Sequence, residues 1–289
     1  MIALLGSSGY IGSAFKAELQ ARSFTYACLL REDYSSFASL RRILHDLKPE
    51  LVINCAAFVT KPSVDLCEDH KEETLNGNLI LPATITHACQ ATNTPLLHVS
   101  TGCLFNGENE GRGYSEQHAP QLTFDRGADF YVGAKQLAEP IVAQFERAYL
   151  CRIRIPFDNV DNDRNYLSKL QRYPKVYNGR NSLAHRGDYV KACLDLWQRR
   201  APCGTYNVTN IGQVSAQECC IMIRRLLKLE RKFEYWDEED FMKNVARTMK
   251  SNCTLDVSKL LATGVKIRDV HEAVEDSLRN WLPEKPKTV

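Results

Sequence analysis

Short apolar runs alternate with longer amphipathic stretches through the first half of the chain. The apolar runs are nearly unbroken, which is typical of strands buried on both faces of a sheet. Such strands are predicted at Ile2–Leu5, Tyr26–Leu30, Leu51–Cys55, Leu96–Val99 and Leu150–Ile155. Helices are predicted at Ile11–Arg22, Ser36–Leu47, Glu72–Ala91 and Tyr131–Glu146. This alternation predicts an α/β fold, a Rossmann-type doubly wound parallel sheet with ligands at the carboxyl ends of its strands.

The pattern changes after Pro156, where Phe157–Arg164 is polar and is predicted to be a loop that leaves the sheet. Further helices are predicted at Asn165–Tyr173, Gly187–Arg199, Ser215–Leu229 and Val270–Trp281. We therefore expect an NAD(P)-binding Rossmann domain at residues 1–156 and a smaller C-terminal substrate-binding lobe at residues 157–289. Segments after residue 156 can still return to the first domain.

Composition adds few constraints, and all of them favour an ordinary globular protein. The 44% hydrophobic and 25% charged residues are average values, and a net charge of +2 gives no reason to expect a nucleic-acid partner. No apolar run approaches the roughly 20 residues of a membrane span. The 11 cysteines are irregularly spaced and form no CxxC pair, so we expect reduced thiols and no metal site. Since no leader precedes the first strand, a cytoplasmic location is expected.

A glycine pattern follows the first predicted strand and opens the first helix. Gly6 permits a tight turn, Gly9 allows the backbone to approach a pyrophosphate, and Gly12 permits close packing of helix on strand. The free N–H groups of the helix N-terminus then face the phosphates. Further contacts with a dinucleotide are expected from Ser8, Tyr10, Ile11, Ala56 and Ala57. The alternative is a plain strand-to-helix turn with incidental glycines.

The end of the second strand bears on which dinucleotide is bound. An acidic residue there binds the ribose 2′-hydroxyl of NADH, whereas an arginine accommodates the 2′-phosphate of NADPH. Arg31 follows the strand, with Glu32 and Asp33 directly after it. NADPH is therefore favoured, although the neighbouring acidic residues leave NADH as an alternative. The other interpretation of Arg31 is an ordinary solvated charge on the surface.

Tyr131 and Lys135 lie one helical turn apart and are predicted to share a face. A nearby ammonium lowers the pKa of a phenol, which suits a general acid near neutral pH. Ser100 and Thr101 follow the predicted Leu96–Val99 strand at its ligand-facing end. The alternative for the Tyr/Lys pair alone is an ordinary helix surface.

Taken together, the glycine turn, the hydroxyl pair and the Tyr/Lys pair resemble the extended short-chain dehydrogenase/reductases in order and spacing. The resemblance narrows to the nucleotide-rhamnose synthases, which are UDP/dTDP-4-keto-6-deoxyglucose 3,5-epimerase/4-reductases. It rests on Val59-Thr60, Val64-Asp65, Cys67-Glu68, Thr101–Phe105, Arg164–Tyr166, Lys169, Gly204–Asn210 and Ser251-Asn252. More distantly the chain resembles dTDP-4-dehydrorhamnose reductase and GDP-fucose synthase.

The resemblance implies NADPH-dependent reduction of the C4 ketone of a nucleotide-linked 4-keto-6-deoxy sugar. It assigns Thr101 to the C4 carbonyl and Tyr131 to protonation of the new alkoxide. Lys135 holds the nicotinamide ribose in this family and lowers the pKa of the tyrosine. A nucleotide sugar is thus the expected partner, and a homodimer is open by analogy with the superfamily.

Two further residues bear on epimerisation. If the chain stays extended beyond Thr101, Cys103 points the same way toward the substrate. By the resemblance, Cys103 is one base for inversion at C3 and C5, and Lys169 is the second group. Alone, the cysteine would be a buried small hydrophobe and the lysine a solvated helix residue.

Substrate contacts are expected from Asn165 and from Lys250, which stands where the rhamnose synthases carry an arginine. The Met-Thr that follows Asn181-Ser182 in the family is absent from this chain, so the sequence does not identify the sugar or the nucleobase of the substrate. Two alternatives remain: a simple 4-reductase or dehydrogenase in which Cys103 is structural, and a non-catalytic regulatory subunit that keeps the dinucleotide fold.

Overall fold

The structure is a computed structural model that describes residues 1–61, 63–246 and 251–283. In chain order, strands β1 to β12 are Ile2–Leu5, Tyr26–Leu29, Leu51–Asn54, Leu96–Thr101, Ala148–Ile153, Pro156–Phe157, Lys175–Val176, Arg180–Asn181, Ala184–His185, Gly204–Asn207, Val214–Ser215 and Glu234–Tyr235. Helices α1 to α12 are Tyr10–Ala21, Arg31–Tyr34, Phe37–Leu47, Lys71–Leu75, Leu81–Ala91, Phe130–Ala143, Tyr166–Arg172, Arg186–Gln198, Ala216–Leu226, Glu238–Asn244, Ser258–Ala262 and Val270–Arg279.

Six strands form one parallel sheet in the order β10-β5-β4-β3-β1-β2. The strand order reverses between β1 and β3, as in a doubly wound sheet, so the loops after these two strands meet at one edge. The predicted Rossmann-type fold is confirmed. Its carboxyl edge is where the candidate site residues are found.

The two faces of the sheet are covered by different helices, because successive side chains of a strand point to opposite faces. Ile2 and Leu4 pack in a core with α1 and α8, while Ala3 and Leu5 pack in a second core with α3, α5 and α6. Burial on both faces explains why these strands are apolar almost throughout.

The chain returns to the sheet after the predicted lobe boundary. Helix α8 packs on α1, and β10 pairs in parallel with β5, with Asn207 opposite Arg152. Strand β10 is an edge strand with the sequence Gly-Thr-Tyr-Asn, and this polar character explains why no strand was predicted there. A third core lies outside the sheet, where α7, α9 and α12 pack together with Val214 of β11, which pairs antiparallel with β8.

The helix predicted at Glu72–Ala91 is present, but it is not α-helical throughout. Helix α4 passes through a π-helical turn at Asn76–Ile80 before α5 begins. The turn has a packing reason, because a Cβ at Gly77 would lie 2.4 Å from the Phe58 Cβ. Asn78 then binds the backbone of Phe58, accepting from its N–H over 3.2 Å and donating to its carbonyl over 2.8 Å. The turn therefore holds the segment after β3 in place.

Among the residues that the structure describes, no helix combines the length and the apolar character needed to cross a bilayer.

Candidate active site

The glycine turn after β1 has the steric properties that the sequence predicts. Gly6 has φ +72°, and a Cβ there would lie 2.6 Å from the Ala56 nitrogen. A Cβ at Gly12 would lie 2.0 Å from the Gly6 carbonyl oxygen, so helix α1 approaches the turn as closely as glycine allows. Gly9, the N-cap, provides no side-chain hydrogen bond to the first turn of α1. This N-terminus therefore keeps donors for an anionic group, and the turn fits a dinucleotide pyrophosphate.

The other predicted cofactor residues lie around this turn. Ser8 and Gly9 are exposed, and Tyr10 and Ile11 begin α1 half-buried. Ala56 is buried and donates from its N–H to the Asn54 side chain over 2.9 Å, while Ala57 is exposed. Arg31 is exposed at the start of α2, with its guanidinium carbon 5.8 Å from the centre of the Tyr34 ring. Its position directly after β2 suits a phosphate on the ribose.

Tyr131 enters the site from the first turn of α6, whose N-terminus is bound by two carboxylates. Asp129 accepts from the Val132 N–H over 2.7 Å, and Glu68 accepts from the Phe130 N–H over 2.7 Å. The expected lowering of the Tyr131 pKa is wrong for this structure. Burial raises the pKa, with Cys103 and Asp129 adding to the rise, and a hydrogen bond with Thr101 only partly opposes them. The phenol is thus held protonated, which is the form a proton donor needs.

Lys135 lies one turn further along α6 and is buried. Its Nζ donates to the Val99 carbonyl of β4 over 3.4 Å, which fixes the ammonium beside the end of that strand. Burial lowers the pKa of Lys135 to about 8, although Glu139 and Cys55 act in the opposite direction. The amine is therefore charged at neutral pH and loses its charge in mildly alkaline solution.

Behind Lys135 lies a buried ion pair that the sequence did not predict. Arg152 of β5 donates to both carboxylate oxygens of Glu139, with the shortest distance 2.6 Å, and both side chains are less than a tenth exposed. The Ser100 hydroxyl donates to the same carboxylate over 2.7 Å. Ser100 is thus directed away from the site, and Thr101 is the hydroxyl of the pair that faces Tyr131.

An extended chain beyond Thr101 was the condition under which Cys103 would point toward the substrate, and the structure shows a turn there instead. Strand β4 ends there, and the N–H of Cys103 donates back to the Thr101 hydroxyl over 3.1 Å, closing a turn. Gly102 permits this turn beside Leu255, whose Cδ1 would lie 2.6 Å from an added Cβ. Cys103 still reaches the site, since it and Tyr131 pack against the same small hydrophobic cluster. Thr101, Cys103 and Tyr131 therefore form one cluster, brought together by a turn instead of a strand.

Arg154 is the residue of this cluster that sequence reasoning missed. It follows β5, is 4% exposed, and donates to the Cys103 Sγ over 2.7 Å. It also donates to the Asn181 side chain over 2.7 Å and to the Ser251 carbonyl. The sequence does carry a signal: Arg152 and Arg154 interrupt the apolar run Leu150–Ile155, and a buried guanidinium requires several hydrogen-bond partners.

Lys169 lies half-buried in α7, near the segment that follows β3. Burial lowers its pKa and the neighbouring Arg164 lowers it further, against Asp163 and Asp65. Arg164 holds the two segments together by donating to the carbonyls of Thr60 and Val59 over 3.2 and 3.1 Å. Tyr166, on the same helix α7, is close enough to Arg154 for that guanidinium to act on the pKa of its phenol.

The substrate contact predicted for Asn165 is wrong in this structure. Its side chain is fully buried as the N-cap of α7, where it accepts from the Leu167 N–H over 3.0 Å. The amide nitrogen donates to the carbonyls of Asp158 and Val160, each over 2.8 Å, so the side chain has structural partners on both ends. The predicted substrate residue Lys250 lies outside the described residues. Among those described, no cluster of three or more His, Cys, Asp or Glu suited to a metal ion is found.

Curated relatives cover nearly the whole chain. A bifunctional dTDP-4-dehydrorhamnose 3,5-epimerase/dTDP-4-dehydrorhamnose reductase of Arabidopsis thaliana is 27% identical over 94% of this chain and 90% of its own length. A trifunctional UDP-glucose 4,6-dehydratase/UDP-4-keto-6-deoxy-D-glucose 3,5-epimerase/UDP-4-keto-L-rhamnose-reductase of the same plant is 28% identical over 94% of this chain. The chain spans about two fifths of the length of that trifunctional relative, 40%.

Many solved structures share the fold, including the two that follow. The L780 UDP-rhamnose synthase of Acanthamoeba polyphaga mimivirus superimposes with a TM-score of 0.88 at 22% identity, over 97% of this chain and 99% of that one. A dTDP-4-dehydrorhamnose reductase of Bacillus anthracis, solved in complex with NADP, gives a TM-score of 0.80 at 19% identity over 97% of each chain. These neighbours agree with the predicted dinucleotide fold.

The model of one family, the RmlD substrate binding domain, matches residues 1–282. The relatives named above are reductases, so the family is one of oxidoreductases, and the predicted resemblance to rhamnose synthases and dehydrorhamnose reductases is confirmed. The match runs through both the glycine turn after β1 and the helices of the third core. This chain belongs to the RmlD substrate binding domain family.

Proposed function

We propose that the chain catalyses NADPH-dependent reduction of the C4 ketone of a nucleotide-linked 4-keto-6-deoxy sugar, with prior epimerisation at C3 and C5. One observation carries the proposal. A hydroxyl (Thr101), a thiol (Cys103) and a protonated phenol (Tyr131) meet at the carboxyl end of β4, with the Lys135 ammonium one helical turn away. A reductase alone requires the hydroxyl, the phenol and the ammonium, whereas the thiol is explained by proton removal from carbon.

When bound, NADPH would supply the hydride that reduces C4. Thr101 positions the ketone by hydrogen bonding to its oxygen, and Tyr131 delivers its phenolic proton to that oxygen as negative charge develops. The raised pKa of Tyr131 suits this role, since the phenol stays protonated until the ketone oxygen becomes more basic than it is. Lys135 holds the ribose next to the nicotinamide and supports the charge on the phenol oxygen as the proton leaves.

Epimerisation precedes reduction because the ketone is what acidifies the hydrogens on C3 and C5. The Cys103 sulfur takes a proton from one face of the ring, and Thr101 and Tyr131 hydrogen-bond to the enolate oxygen that forms. Return of a proton on the opposite face inverts the carbon. Lys169 is proposed for that return, because its lowered pKa makes its ammonium a better proton donor than an exposed lysine.

NADPH in place of NADH is supported by the exposed Arg31 directly after β2 and by the NADP bound to the reductase of Bacillus anthracis. The sugar-nucleotide class is supported by the relatives, whose names specify UDP- and dTDP-linked 4-keto sugars.

The test is a panel of UDP-, dTDP- and GDP-linked 4-keto-6-deoxy sugars, monitored by NADPH absorbance and product NMR. We expect one or more UDP- or dTDP-linked ketones to oxidise NADPH and give an L-configured 6-deoxy sugar. A D-configured product would show a simple reductase and leave Cys103 without a role in catalysis. If no member of the panel oxidises NADPH while the protein binds the cofactor, the proposal fails in favour of a regulatory subunit.

A further inference from the structure

An open groove with a volume of about 970 Å³ lies on the side of the molecule away from the candidate active site. Three of the segments that line it lead directly into strands of the large sheet, since Glu50 precedes β3, Pro95 precedes β4 and Arg147 precedes β5. Because these strands run parallel, the groove lies at the amino edge of the sheet. Thr101 stands at the opposite, carboxyl end of β4, roughly 20 Å from Pro95. A ligand in this amino-edge groove is therefore remote from the catalytic cluster.

The amino-edge groove is positively charged, because four cations line it against one carboxylate, that of Glu50. The cations are Arg41, Arg42, Lys48 and Arg147. All four are exposed, and none of the described carboxylates forms an ion pair with any of them. His45 also lines the groove, and its imidazole contacts the Asp46 carboxylate over 3.0 Å. The side chains of the described residues thus leave most of this positive charge unbalanced.

Two helix C-termini account for part of the charge. Lys48 is the C-cap of α3, and the Arg147 Nη1 donates to the Asn93 carbonyl just beyond α5 over 2.5 Å. Cations are favoured at such positions because each helix C-terminus carries roughly half a negative charge. The two helix ends and Glu50 together amount to about two negative charges, so about half of the positive charge has no local partner. An anion in the groove would supply the balance.

The rest of the lining indicates what kind of anion fits. The walls between the cations are apolar and are formed by Leu44, Pro49, Ala91 and Pro95. Small-molecule sites typically have volumes of about 300–1,000 Å³, and this groove is at the upper end of that range, well above the size of a single phosphate. Its three guanidinium groups suit several phosphate oxygens, since each can bind two of them at once. The groove therefore fits a molecule with a chain of phosphates and an apolar ring system.

We propose that the amino-edge groove binds a nucleoside triphosphate. Its phosphates lie on Arg41, Arg42 and Arg147, with Lys48 adding positive charge, and its nucleoside lies against the apolar wall. The phosphates balance the excess charge, and the nucleoside fills the volume that a phosphate chain alone leaves empty. This second nucleotide site is independent of the proposed function, because it lies at the opposite edge of the sheet from the glycine turn and the Thr101 cluster.

Isothermal titration calorimetry measures this binding directly, with saturating NADPH present to occupy the site at the glycine turn. The probes are ATP, inorganic tripolyphosphate and adenosine. We expect saturable binding of ATP at one site per chain, weaker binding of tripolyphosphate and the weakest binding of adenosine. Absence of saturable ATP binding overturns the proposal. Equal affinity for ATP and tripolyphosphate overturns the assignment of a nucleoside, because the apolar wall then contributes nothing.

Removal of two cations tests where ATP binds. In Arg42→Ser/Arg147→Ser the affinity for ATP is expected to fall at least about tenfold, because charge-assisted hydrogen bonds to the phosphates are lost. Arg224→Ser/Lys232→Ser removes two exposed cations outside the groove and is the matched control, with wild-type affinity expected. Both double variants should bind NADPH like the wild type, which also checks that they are folded. If Arg42→Ser/Arg147→Ser is folded and binds ATP as tightly as the wild type, the proposal is wrong.

Discussion

The backbone N–H of Cys103 donates to the Thr101 hydroxyl over 3.1 Å. This bond closes the turn at the end of β4 and leaves the two side chains next to Tyr131, the proposed proton donor. A substrate carbonyl that reaches Thr101 is therefore within the same cluster as the sulfur and the phenol. Reduction and proton removal can use one binding position, because both depend on the same ketone.

Substitution of Tyr131 by phenylalanine tests the proton donor. NADPH oxidation with a keto-sugar substrate is expected to fall by about 10²–10⁴-fold, because general acid catalysis is lost while the ring remains. Fluorescence titration with NADPH should give an unchanged dissociation constant. Tyr26→Phe, at a partly buried tyrosine of β2, is the matched control and should keep wild-type turnover. Unchanged turnover in the Tyr131 variant would exclude the acid role.

Gly12→Ala tests the pyrophosphate turn. The added Cβ would lie 2.0 Å from the Gly6 carbonyl oxygen, so α1 must move away from the turn. Overpacking of this kind costs about 1–3 kcal/mol, and NADPH binding is expected to weaken by roughly tenfold or more. Lys16→Ala, on the exposed side of the same helix, should bind NADPH like the wild type. Equal affinity in the two variants would contradict the assigned role of the turn.

Arg31→Ala tests the choice of dinucleotide. An arginine on the 2′-phosphate contributes a charge-assisted hydrogen bond of about 1.5–3 kcal/mol. The KM for NADPH is therefore expected to rise roughly tenfold or more, with little change in the KM for NADH. Arg41→Ala, at an exposed arginine of α3, is the control. If the KM values for NADPH and NADH rise by the same factor, Arg31 does not bind the 2′-phosphate.

The pKa of Lys135, lowered by burial to about 8, predicts an alkaline limit for activity. The ammonium is present below this pH and is lost as the pH rises through it, so kcat/KM for NADPH should fall above about pH 8. This ratio reports the enzyme without bound cofactor, which is the state to which the pKa refers. Circular dichroism over the same range serves as the check on folding. A level profile up to pH 10 would contradict the assignment.

The Glu139–Arg152 pair predicts a large stability effect behind the site. Glu139→Gln leaves a buried guanidinium without its carboxylate, which typically costs about 3–5 kcal/mol. We expect the free energy of unfolding in urea to fall by roughly that amount. Glu110→Gln removes the exposed pair with Arg112 and should change stability by less than about 1 kcal/mol. If the two variants lose the same free energy of unfolding, the buried pair contributes no more to stability than the exposed one.

The sequence predicted the parts of the site whose requirements are local. Gly6 and Gly12 are read from the steric demands of one turn, and Tyr131 and Lys135 from the spacing of one helix. Apolar runs likewise predicted five of the six strands of the large sheet, and β10 was missed because it is a polar edge strand.

Contacts between distant segments could not be predicted in this way. Arg154 is 51 residues from Cys103 in sequence and 97 from Ser251, so their meeting depends on the assembled fold. Asn165 was assigned to substrate because its neighbours resemble a family motif, yet burial makes it a helix cap. The pKa of Tyr131 was expected to fall beside Lys135, but burial raises it, and the hydrogen bond with Thr101 only partly opposes that rise.

Deuterium incorporation in heavy water tests the central claim most directly. The wild-type protein, NADPH and the keto-sugar substrate identified by the panel are incubated in heavy water, and the product is examined by NMR. The proposed function predicts deuterium at C3 and C5 with the wild-type protein, and loss of exchange with Cys103→Ser while direct reduction of the C4 ketone continues. A wild-type product that is reduced at C4 and carries only protium at C3 and C5 would contradict it.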